Sequence, residues 1–409
     1  MKYSQLFPSA QKETPSSESQ SYQLLIRGGY IHKEAAGLYS FLPLGIKVLS
    51  KIQNIIREEM SKIGMQELSL PCLSPISLWE QTGRQDMNIL YQLESRSGQK
   101  FALNPTTEEV ITPLVKEYVR SYRDLPVSVF QINNKFRDEL RAKSGILRGR
   151  EFNMKDGYSF HINKEELDQY YEIVTDSYYK IYDTLGILAS TVFTYASGGD
   201  FSKYSHEFQT ICDIGEDTIH HCEKCNIAIN KEIIEEQKTC PKCNGSDFSI
   251  KKAVEVGNIF KLGSRFSQAF DFKFSDKDGS KKFVEMGCYG IGPTRTMGTI
   301  VELNHDKKGI TWPESISPFD YSLVLLGKDP LVKKAADELY ARLTSKGKDV
   351  LYEDRENTSN GEKLNTADLL GVSKRIVMSN KLGATNCEYK KRRDESSTMV
   401  SVKDLVNNL

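Results

Sequence analysis

The 409-residue sequence predicts an α+β fold, and three observations lead to that prediction. Residues 127–160 alternate apolar and polar side chains on both sides of a basic loop, which indicates an antiparallel hairpin. Apolar residues recur at helical spacing before and after this hairpin. After residue 318, strand-like and helix-like segments alternate, which is typical of a small α/β domain with a mostly parallel sheet.

The N-terminal part is expected to begin with a mobile lead-in over residues 1–20, because this segment is polar. Apolar residues then recur at three- and four-residue spacing from Gly45, and Gly64 fits the end of the helix that they predict. Residues 65–70 follow as a predicted strand, which Pro71 limits to an edge or an exit position.

Helices are also predicted around the central hairpin. In the segment 105–119, Thr106 followed three residues later by Glu109 fits a capping box, so a helix is expected to begin there. A longer helix is predicted at 164–186 and ends at a glycine. Residues 283–303 indicate a strand, a glycine-rich turn and another helix.

The C-terminal segment predicts a separate α/β domain, in which strands and helices follow one another in turn. The predicted strands are 321–326, 350–352 and 376–378, and the predicted helices are 331–343 and 364–370.

Composition excludes several classes of protein. Charged residues make up 27% and hydrophobic ones 39%, so a globally disordered chain is excluded. The 55 basic and 55 acidic residues give a net charge of zero, which argues against a polycationic surface along the whole chain. The sequence carries neither a signal-peptide pattern nor an apolar run near 18 residues. We therefore expect a cytoplasmic protein.

Four of the eight cysteines form two close pairs, Cys222 with Cys225 and Cys240 with Cys243. In a cytoplasmic protein such pairs indicate metal ligands rather than disulfides. Two Cys-x2-Cys knuckles separated by fourteen residues have the spacing of a zinc ribbon, in which four thiolates hold one structural Zn²⁺ ion. The alternative is four unligated thiols.

Positive charge concentrates in the loop of the predicted hairpin. Residues 135–155 contain seven basic and three acidic side chains, although the whole chain is neutral. Arginine forks match phosphate oxygens, so this loop suits a polyphosphate or a nucleic-acid backbone. A solvated loop with ordinary ion pairs remains the alternative.

The glycine-rich segment 286–295 gives a second signal for an anion. The glycines of this segment allow a ligand to approach the backbone closely. Pro293 fits the first position of a helix. Arg295 then lies in the first helical turn, where the helix dipole disfavours a cation unless an anion binds there.

Taken together, these segments resemble the class II aminoacyl-tRNA synthetases, and specifically the bacterial-type prolyl enzymes. Residues 64–71, 136–156 and 290–295 match the three class-defining motifs in order. The proline subfamily is indicated by Gly37-Leu38-Tyr39, Leu42-Pro43-Leu44-Gly45, the segment 104–109, Arg150-Glu151-Phe152, Ser205-His206-Glu207-Phe208 and the segment 286–290.

The resemblance implies a division into domains. A class II catalytic domain with an antiparallel sheet flanked by helices is expected over 21–215 and 254–316. A zinc-ribbon-like insertion is expected at 216–253, and an α/β anticodon-binding domain at 317–409. The first motif forms the dimer interface in this family, so a homodimer is expected.

The resemblance also assigns roles at an ATP site that includes Mg²⁺. Arg137 would contact the α-phosphate and Arg295 the γ-phosphate, and these two are the expected catalytic residues. Phe152 would stack on the adenine, Glu139 would approach its edge, and Arg148 would support the triphosphate. Adenylate formation depends on such positioning and charge stabilisation and needs no side-chain nucleophile.

For proline, the resemblance implies that Thr106 and Glu108 hold the ring nitrogen, with Arg137, His206 and Cys288 in the same pocket. A secondary ammonium offers two N–H donors, which a carboxylate and a neighbouring hydroxyl can accept. Local alternatives stay open: a helix cap for Thr106, a favourable first-turn charge for Glu108, and plain packing for His206 and Cys288.

The chain departs from the family where bacterial-type prolyl enzymes commonly carry a large editing domain. Between the second and third motifs, only the short segment 216–253 fails to match the family pattern. A pocket rejects a smaller apolar substrate such as alanine only weakly. We therefore expect no hydrolysis of Ala-tRNA by this chain and a separate deacylase as a partner.

Contacts with tRNA are expected from scattered cations, for which a solvated surface position is the alternative. The candidates are Arg141, Lys143, Arg355, Lys363 and Arg392. Other functions left open are a threonyl-type enzyme of the same class, an inactive synthetase paralogue that binds RNA, and a zinc-ribbon scaffold. Intact Arg137, Phe152 and Arg295 argue against the last two.

Overall fold

The computed structural model describes residues 1–11, 13, 16–17, 19–142, 144–199 and 201–407. Its contacts divide the chain into two compact units. Unit 1 comprises Met1–Lys33, Ser40–Lys51 and Ile300–Leu409, and unit 2 comprises Glu34–Tyr39 and Ile52–Thr299. The basic hairpin and the cysteine pairs therefore fall in unit 2.

The helices of the described residues are α1 Gln20–Arg27, α2 Pro43–Lys62, α3 Ile76–Thr82, α4 Glu108–Tyr118, α5 Lys164–Thr184, α6 Arg265–Ala269, α7 Pro293–Leu303, α8 Pro330–Ser345, α9 Asn360–Leu370 and α10 Val402–Asn407. The helices predicted from the sequence are present as α2, α4, α5, α7, α8 and α9, with ends shifted by a few residues, whereas α1, α3, α6 and α10 were not predicted. Among the described residues, none of these helices is both long and apolar enough to cross a bilayer.

The strands up to the glycine-rich segment are β1 Ile31–Ala35, β2 Leu38–Phe41, β3 Gln66–Glu67, β4 Leu73–Pro75, β5 Tyr91–Glu94, β6 Lys100–Leu103, β7 Val127–Phe136, β8 Glu151–His161, β9 Thr191–Ser197, β10 Tyr204–Ile211, β11 Asp217–Cys222, β12 Ile227–Asn230, β13 Ser249–Gly263, β14 Lys273–Ser275, β15 Lys281–Phe283 and β16 Glu285–Ile291. The remaining strands are β17 His305–Asp306, β18 Gly309–Ile310, β19 Tyr321–Leu326, β20 Val350–Glu353, β21 Lys374–Ser379, β22 Asn386–Lys391 and β23 Thr398–Ser401.

Unit 2 is built on a large, mainly antiparallel sheet with the order β10-β9-β12-β11-β13-β16-β8-β7-β3. The predicted hairpin is confirmed as β7 and β8, which pair from Val127 opposite Phe160 to Phe136 opposite Glu151. Next to them lie β16 and β13, so the basic hairpin and the glycine-rich strand share one sheet.

The strand predicted at 65–70 is shorter than expected, because only Gln66–Glu67 form β3, parallel to β7. Beyond β3, side chains of β7 form the hydrogen bonds to the backbone of this segment. The Leu70 amide donates to Gln131 Oε1 at 3.0 Å, and Asn133 Nδ2 donates to the Leu70 carbonyl at 2.8 Å.

Two-residue alternation along β8 decides which side chains face the two sides of the sheet. Tyr158 and Phe160 belong to the core that includes Ile111 of α4 and Phe266 of α6. On the other side, Ser159 bonds the hydroxyl of Tyr289, which belongs to the aromatic cluster packed on α5. The even-numbered positions of β8 therefore face the α4 side.

The four-cysteine segment is part of the large sheet. Its strands β11 and β12 connect β13 to β9, and β10 pairs with both β9 and β13. Within the described residues these pairings return to their starting strand, so β13, β11, β12, β9 and β10 close a small ring. Val192, Ile219, Ala228 and Ala253 are buried together in it.

Unit 1 contains the predicted α/β domain. In the sheet order β20-β19-β21-β22-β23, β19 pairs in parallel with both β20 and β21, as predicted, whereas β22 and β23 add antiparallel pairs. Residues from the expected lead-in reach this domain: Lys2 pairs with Tyr352, and Tyr3 is buried. The lead-in positions Lys12, Thr14, Pro15 and Glu18 lie outside the described residues.

Candidate active site

Two adjoining cavities open on the α4 side of the sheet in unit 2. The first, here called the arginine cavity, is lined by Arg137, Glu139, Phe152 and Arg295, together with glycines of β13 and β16. The second, the glutamate cavity, is lined by residues that include Thr106, Glu108, Phe201 and Cys288. Arg137 lines both cavities. The structure thus brings most of the predicted site residues together.

Arg137 and Arg295 supply the positive charge of the arginine cavity. The Arg137 guanidinium lies 5.2 Å from the centre of the Phe152 ring, and its buried Nε has no hydrogen-bond partner among the described residues. Burial, and then the charge of Arg295, lower the pKa of Arg137. Two cations facing one buried space favour an anion there.

Arg295 is held at the start of α7, as the sequence predicted. Its Nε donates to the Leu147 carbonyl at 2.9 Å, and Nη1 donates to the Glu255 carbonyl at 3.0 Å. The Glu255 carboxylate lies 3.3 Å from the same Nη1. These contacts fix the guanidinium at the edge of the cavity.

Glu139 and Arg148 bind each other in the structure. Arg148 donates to Glu139 Oε2 through Nε at 3.0 Å and Nη2 at 2.7 Å. Arg148 Nη1 donates to Glu216 at 2.7 Å. Sequence reasoning missed Glu216, which precedes the four-cysteine segment and carries no motif of its own.

Close backbone approach explains the glycines of the arginine cavity. A Cβ atom added to Gly290 would lie 2.5 Å from Asn258 Oδ1, and one added to Gly257 would lie 2.3 Å from the Tyr182 hydroxyl. Even-numbered side chains of β8, namely Phe152 and Met154, line the same space. The strand alternation therefore places the aromatic ring of Phe152 in a cavity whose wall includes Gly257 and Gly290, here called the glycine wall.

The glutamate cavity is organised around the buried carboxylate of Glu108. Thr106 Oγ1 donates to Glu108 Oε2 at 2.6 Å, and Cys288 Sγ donates to Oε1 at 3.1 Å. The predicted capping box is therefore wrong: α4 begins at Glu108 with Thr107 at its N-cap position. The Glu109 carboxylate is used elsewhere, in a salt bridge with Arg84 at 2.8 Å.

Arg84 was not found by sequence reasoning, because the segment around it carries only a helical pattern. Its guanidinium lies 4.6 Å from the ring centre of Phe201 and 5.5 Å from that of Trp79. Nη1 lies 2.8 Å from Glu109 and 3.6 Å from Glu108. Arg84, which itself lines the cavity, thus connects the two glutamates.

His206 lies apart from the residues that line the glutamate cavity. Its Nδ1 is 2.6 Å from the Tyr171 hydroxyl, and its ring stacks on Phe193 with 4.6 Å between centres. Burial, and then the charge of Lys261, lower the pKa of His206 to about 4. The structure therefore agrees with the alternative interpretation of His206 as a residue that packs in an aromatic cluster.

A buried ion pair beneath the cavities was also missed. Lys135 Nζ lies 2.9 Å from Asp156 Oδ1, and both side chains are at most 2% exposed. The second oxygen of Asp156 accepts from Thr107 at 2.5 Å and from Gln131 at 2.9 Å. Alternation along β7 and β8 directs the side chains of Lys135 and Asp156 to the same buried side of the sheet. No local pattern in the sequence indicates that these two residues pair.

The four paired cysteines meet as predicted. Their sulfur atoms all lie within 4.8 Å of one another, and Cys222 and Cys243 are 3.8 Å apart. A tetrahedron with zinc–sulfur bonds of about 2.3 Å requires sulfur separations of about 3.8 Å. The donor set therefore fits a closed tetrahedral ion.

Most of the cations suggested for tRNA are engaged within their own unit. Arg355 forms a two-point salt bridge with Glu353, Lys363 donates to the Leu325 carbonyl at 2.8 Å, and Arg392 bonds Asp306 at 2.7 and 2.8 Å. Arg141 is exposed at the hairpin tip. Lys143 lies outside the described residues.

Two family models match the chain. Residues 91–304 match the tRNA synthetase class II core domain (G, H, P, S and T), and residues 322–409 match the anticodon binding domain. The first match contains the arginine cavity, most of the glutamate cavity and the four-cysteine segment, and the second covers nearly all of the α/β domain of unit 1.

Curated relatives cover nearly the whole chain. A proline–tRNA ligase of Sulfurimonas denitrificans is 37% identical over 425 positions, covering 98% of this chain and 97% of the relative. One from Dehalococcoides mccartyi (strain CBDB1) is 33% identical over 559 positions, covering 99% and 98%. The first relative is thus close to this chain in length, whereas the second is considerably longer.

Similarity of fold extends to solved structures. The Giardia lamblia prolyl-tRNA synthetase in complex with prolyl-adenylate superposes with a TM-score of 0.80 at 19% identity, covering 96% of this chain and 78% of that one. At this identity the match supports the fold alone, and it agrees with the predicted antiparallel catalytic sheet. From the core-domain match and the relatives of similar length, the chain belongs to the proline–tRNA ligase family of class II aminoacyl-tRNA synthetases.

Proposed function

We propose that this protein activates L-proline with ATP and transfers the prolyl group to the 3′ end of a proline-specific tRNA. One observation carries the proposal: Arg137 lines both the arginine cavity and the glutamate cavity. A residue at this junction is placed where the carboxylate of an amino acid in one cavity would meet a phosphate in the other. Family membership and the curated relatives supply the substrate.

In the first step, a carboxylate oxygen of proline attacks the α-phosphorus of ATP. A bond forms between that oxygen and phosphorus, the bond from the α-phosphorus to the bridging oxygen breaks, and pyrophosphate leaves. Arg137 stabilises the charge that builds on the α-phosphate, and Arg295 holds the γ-phosphate. Phe152 stacks on the adenine beside the glycine wall.

The Glu139–Arg148 pair supports the triphosphate side of the arginine cavity. Because Arg148 also bonds Glu216, this support includes the start of the four-cysteine segment. In the second step, the terminal ribose hydroxyl of the tRNA attacks the prolyl carbonyl, and AMP leaves. Both steps depend on positioning and charge rather than on a protein nucleophile.

Proline is recognised in the glutamate cavity. Glu108 accepts from Thr106 and Cys288 and faces the cavity, so it can also accept an N–H of the proline ring ammonium. The ammonium is thereby paired with a buried carboxylate, which offsets the cost of burying its charge. Arg137 lies on the side of the proline carboxylate.

Two metal ions are part of the proposal. Glu255 and Asp217 line the recess beside Arg148, and their carboxylates would hold Mg²⁺, which neutralises triphosphate charge when bound. The cysteines Cys222, Cys225, Cys240 and Cys243 would hold a structural Zn²⁺ ion, since a closed shell of four thiolates leaves no position for water. Metal analysis of purified protein should give about one zinc per chain, and Cys240→Ser should lower it whereas Cys387→Ser should not.

We further propose that this chain lacks its own editing of Ala-tRNA and relies on a separate deacylase. The relative with 559 aligned positions exceeds the 409 residues here by about 150, whereas the 425-position relative has no such excess. Purified protein mixed with proline-specific tRNA carrying alanine should leave the ester intact beyond its spontaneous loss. Rapid hydrolysis that requires the protein would contradict this proposal.

We propose a homodimer in the cytoplasm, where tRNA and ATP are both available. The α/β domain of unit 1 matches the anticodon binding domain and would contact the tRNA. The internal pairing of Arg355, Lys363 and Arg392 favours a structural role for these three, so exposed Arg141 is the stronger candidate for a phosphate contact.

The decisive experiment is ATP–pyrophosphate exchange with each amino acid in turn. Exchange should depend on proline, and Arg137→Ala should reduce it by roughly a hundredfold or more. Arg123→Ala, an exposed arginine of the same unit, is the matched control. Exchange with threonine instead would favour the threonyl alternative, and exchange with no amino acid would favour an inactive RNA-binding paralogue.

A further inference from the structure

At the wall of the glutamate cavity, two buried carboxylates share one guanidinium. The side chains of Glu108 and Glu109 are 0% exposed, and that of Arg84 is 3% exposed. Arg84 Nη1 lies 2.8 Å from Glu109 Oε1 and 3.6 Å from Glu108 Oε2. With both glutamates ionised, this group of three side chains would carry a net charge of minus one out of contact with water.

The neighbouring charged groups are committed elsewhere. Around Glu109, Lys116 of α4 donates to the Phe270 carbonyl, and Arg265 of α6 is exposed. The neighbouring helix α3 contributes the neutral hydroxyl of Thr82. Within the glutamate cavity, the charge of Asp156 is paired with Lys135, and β16 contributes the neutral thiol of Cys288. Arg137 lies at the junction with the arginine cavity, with its guanidinium beside the Phe152 ring. An extra negative charge buried beside Arg84 is therefore disfavoured.

Hydrogen bonding distinguishes the two glutamates. Glu108 accepts from Thr106 and Cys288 and lies next to Arg84, so donors serve both of its oxygens. In Glu109, Oε1 accepts from Thr82 at 2.9 Å and from Arg84, whereas the buried Oε2 has no hydrogen-bond partner among the described residues. A proton is therefore best placed on Glu109 Oε2.

The electrostatic environment agrees with this geometry. Burial, opposed by the charge of Arg84 and reinforced by the charge of Glu108, raises the pKa of Glu109 to about 7. Glu109 is thus partly protonated near neutral pH, unlike an ordinary exposed glutamate.

We propose that Glu109 holds a proton while the glutamate cavity is empty and releases it to solvent when a cationic amino group binds at Glu108. In the empty site, the positive charge of Arg84 balances the negative charge of Glu108, and the protonated Glu109 is neutral. In the loaded site, the two positive charges of Arg84 and the ammonium balance the two negative charges of Glu108 and Glu109. The pair of Arg84 and Glu109 acts as a positioning pair that keeps the site neutral, and the inference rests on the proposed function because proline supplies the ammonium.

Titration calorimetry of L-proline binding in two buffers of different ionisation enthalpy measures this proton directly. With a pKa near 7 in the empty site, about half a proton should be released at pH 7 and almost none at pH 9. The dissociation constant should fall about tenfold between pH 6 and pH 8. Glu109→Gln, which cannot ionise, should bind proline without releasing a proton and with no change of affinity over this range.

Glu207→Gln is the matched control, because Glu207 is a partly buried glutamate of unit 2 with a raised pKa and lies outside the residues that line the glutamate cavity. It should release the same proton as the unchanged protein. Binding whose heat is independent of the buffer, or an unchanged release in Glu109→Gln, would overturn the inference. If the unchanged protein binds no proline at all, the proposed function itself fails. The measurement on the unchanged protein decides the question even if Glu109→Gln does not fold.

Discussion

The buried pair of Lys135 and Asp156 should make a large contribution that is lost when either partner is removed alone. Their side chains are 1% and 2% exposed and lie 2.9 Å apart. Lys135→Met keeps the volume but leaves the Asp156 carboxylate without a counter-charge, and such a change costs about 3–5 kcal/mol. Asp156→Asn should be costly for the converse reason, since it leaves a buried ammonium unpaired.

The double variant Lys135→Met with Asp156→Asn removes both charges, so it should lose less free energy of unfolding than Lys135→Met alone. Breaking a buried pair is costly because the remaining charge is stranded, whereas replacing both partners is often close to neutral. The magnitude of the double variant therefore separates the cost of a stranded charge from ordinary loss of packing.

Urea unfolding followed by tryptophan fluorescence measures these differences. The chain has two tryptophans, and Trp312→Phe leaves buried Trp79 as the reporter of unit 2. With a slope of about 3 kcal/mol per molar urea, the loss corresponds to a midpoint lower by about 1 M or more in Lys135→Met. A shift below about 0.3 M, or a double variant that loses the sum of the two single losses, would refute the reasoning.

Three further predictions concern the site and its surroundings. Glu216→Gln removes one half-exposed partner of Arg148 and should raise KM for ATP about two- to fivefold with kcat unchanged, measured by pyrophosphate exchange; a changed kcat would argue against a purely supporting role. Gly290→Ala, whose added Cβ would lie 2.5 Å from the side-chain oxygen Oδ1 of Asn258, should displace Asn258 from the cavity wall and reduce exchange about a hundredfold. Gly361→Ala, whose Cβ would meet no atom within 4 Å, should leave exchange unchanged, and equal losses would contradict the steric argument. Burial, and then the charge of Glu255, raise the pKa of Glu207 to about 8. Protonated Glu207 therefore stabilises the native state at low pH, and this stabilisation is lost as the pH rises toward 8. Glu207→Gln should therefore match the unchanged protein in Tm at pH 5 and exceed it at pH 9, and a gain only at low pH would show the sign to be wrong.

Local signals were sufficient for the elements on which the site is built. Period-two alternation predicted the hairpin of β7 and β8, and the position of Pro293 predicted the start of α7. The cysteine spacing predicted a cluster whose sulfurs do meet within 4.8 Å. These features could be predicted because each depends on residues close together in the chain.

Local reasoning gave a wrong assignment where a buried partner competes for the same side chain. Thr106 and Glu109 have the spacing of a capping box, yet Thr106 bonds Glu108 and Glu109 pairs with Arg84. A buried carboxylate next to a guanidinium gains more than an exposed cap, so the tertiary contact prevails over the local pattern. For His206, the packing alternative agrees with the structure, because its ring stacks on Phe193 and does not line the glutamate cavity.

The sequence by itself determined the family, the order of the main elements, and the residue types that line the two cavities and form the four-cysteine cluster. These features depend on motifs and periodicity, which are patterns of residues close together in the sequence. Only the tertiary structure decided which charges are paired: Arg84 between two glutamates, Lys135 with Asp156, and Arg392 with Asp306. The physical reason is that the energy of a charge depends on its burial and its partners, and distant segments of the chain supply both.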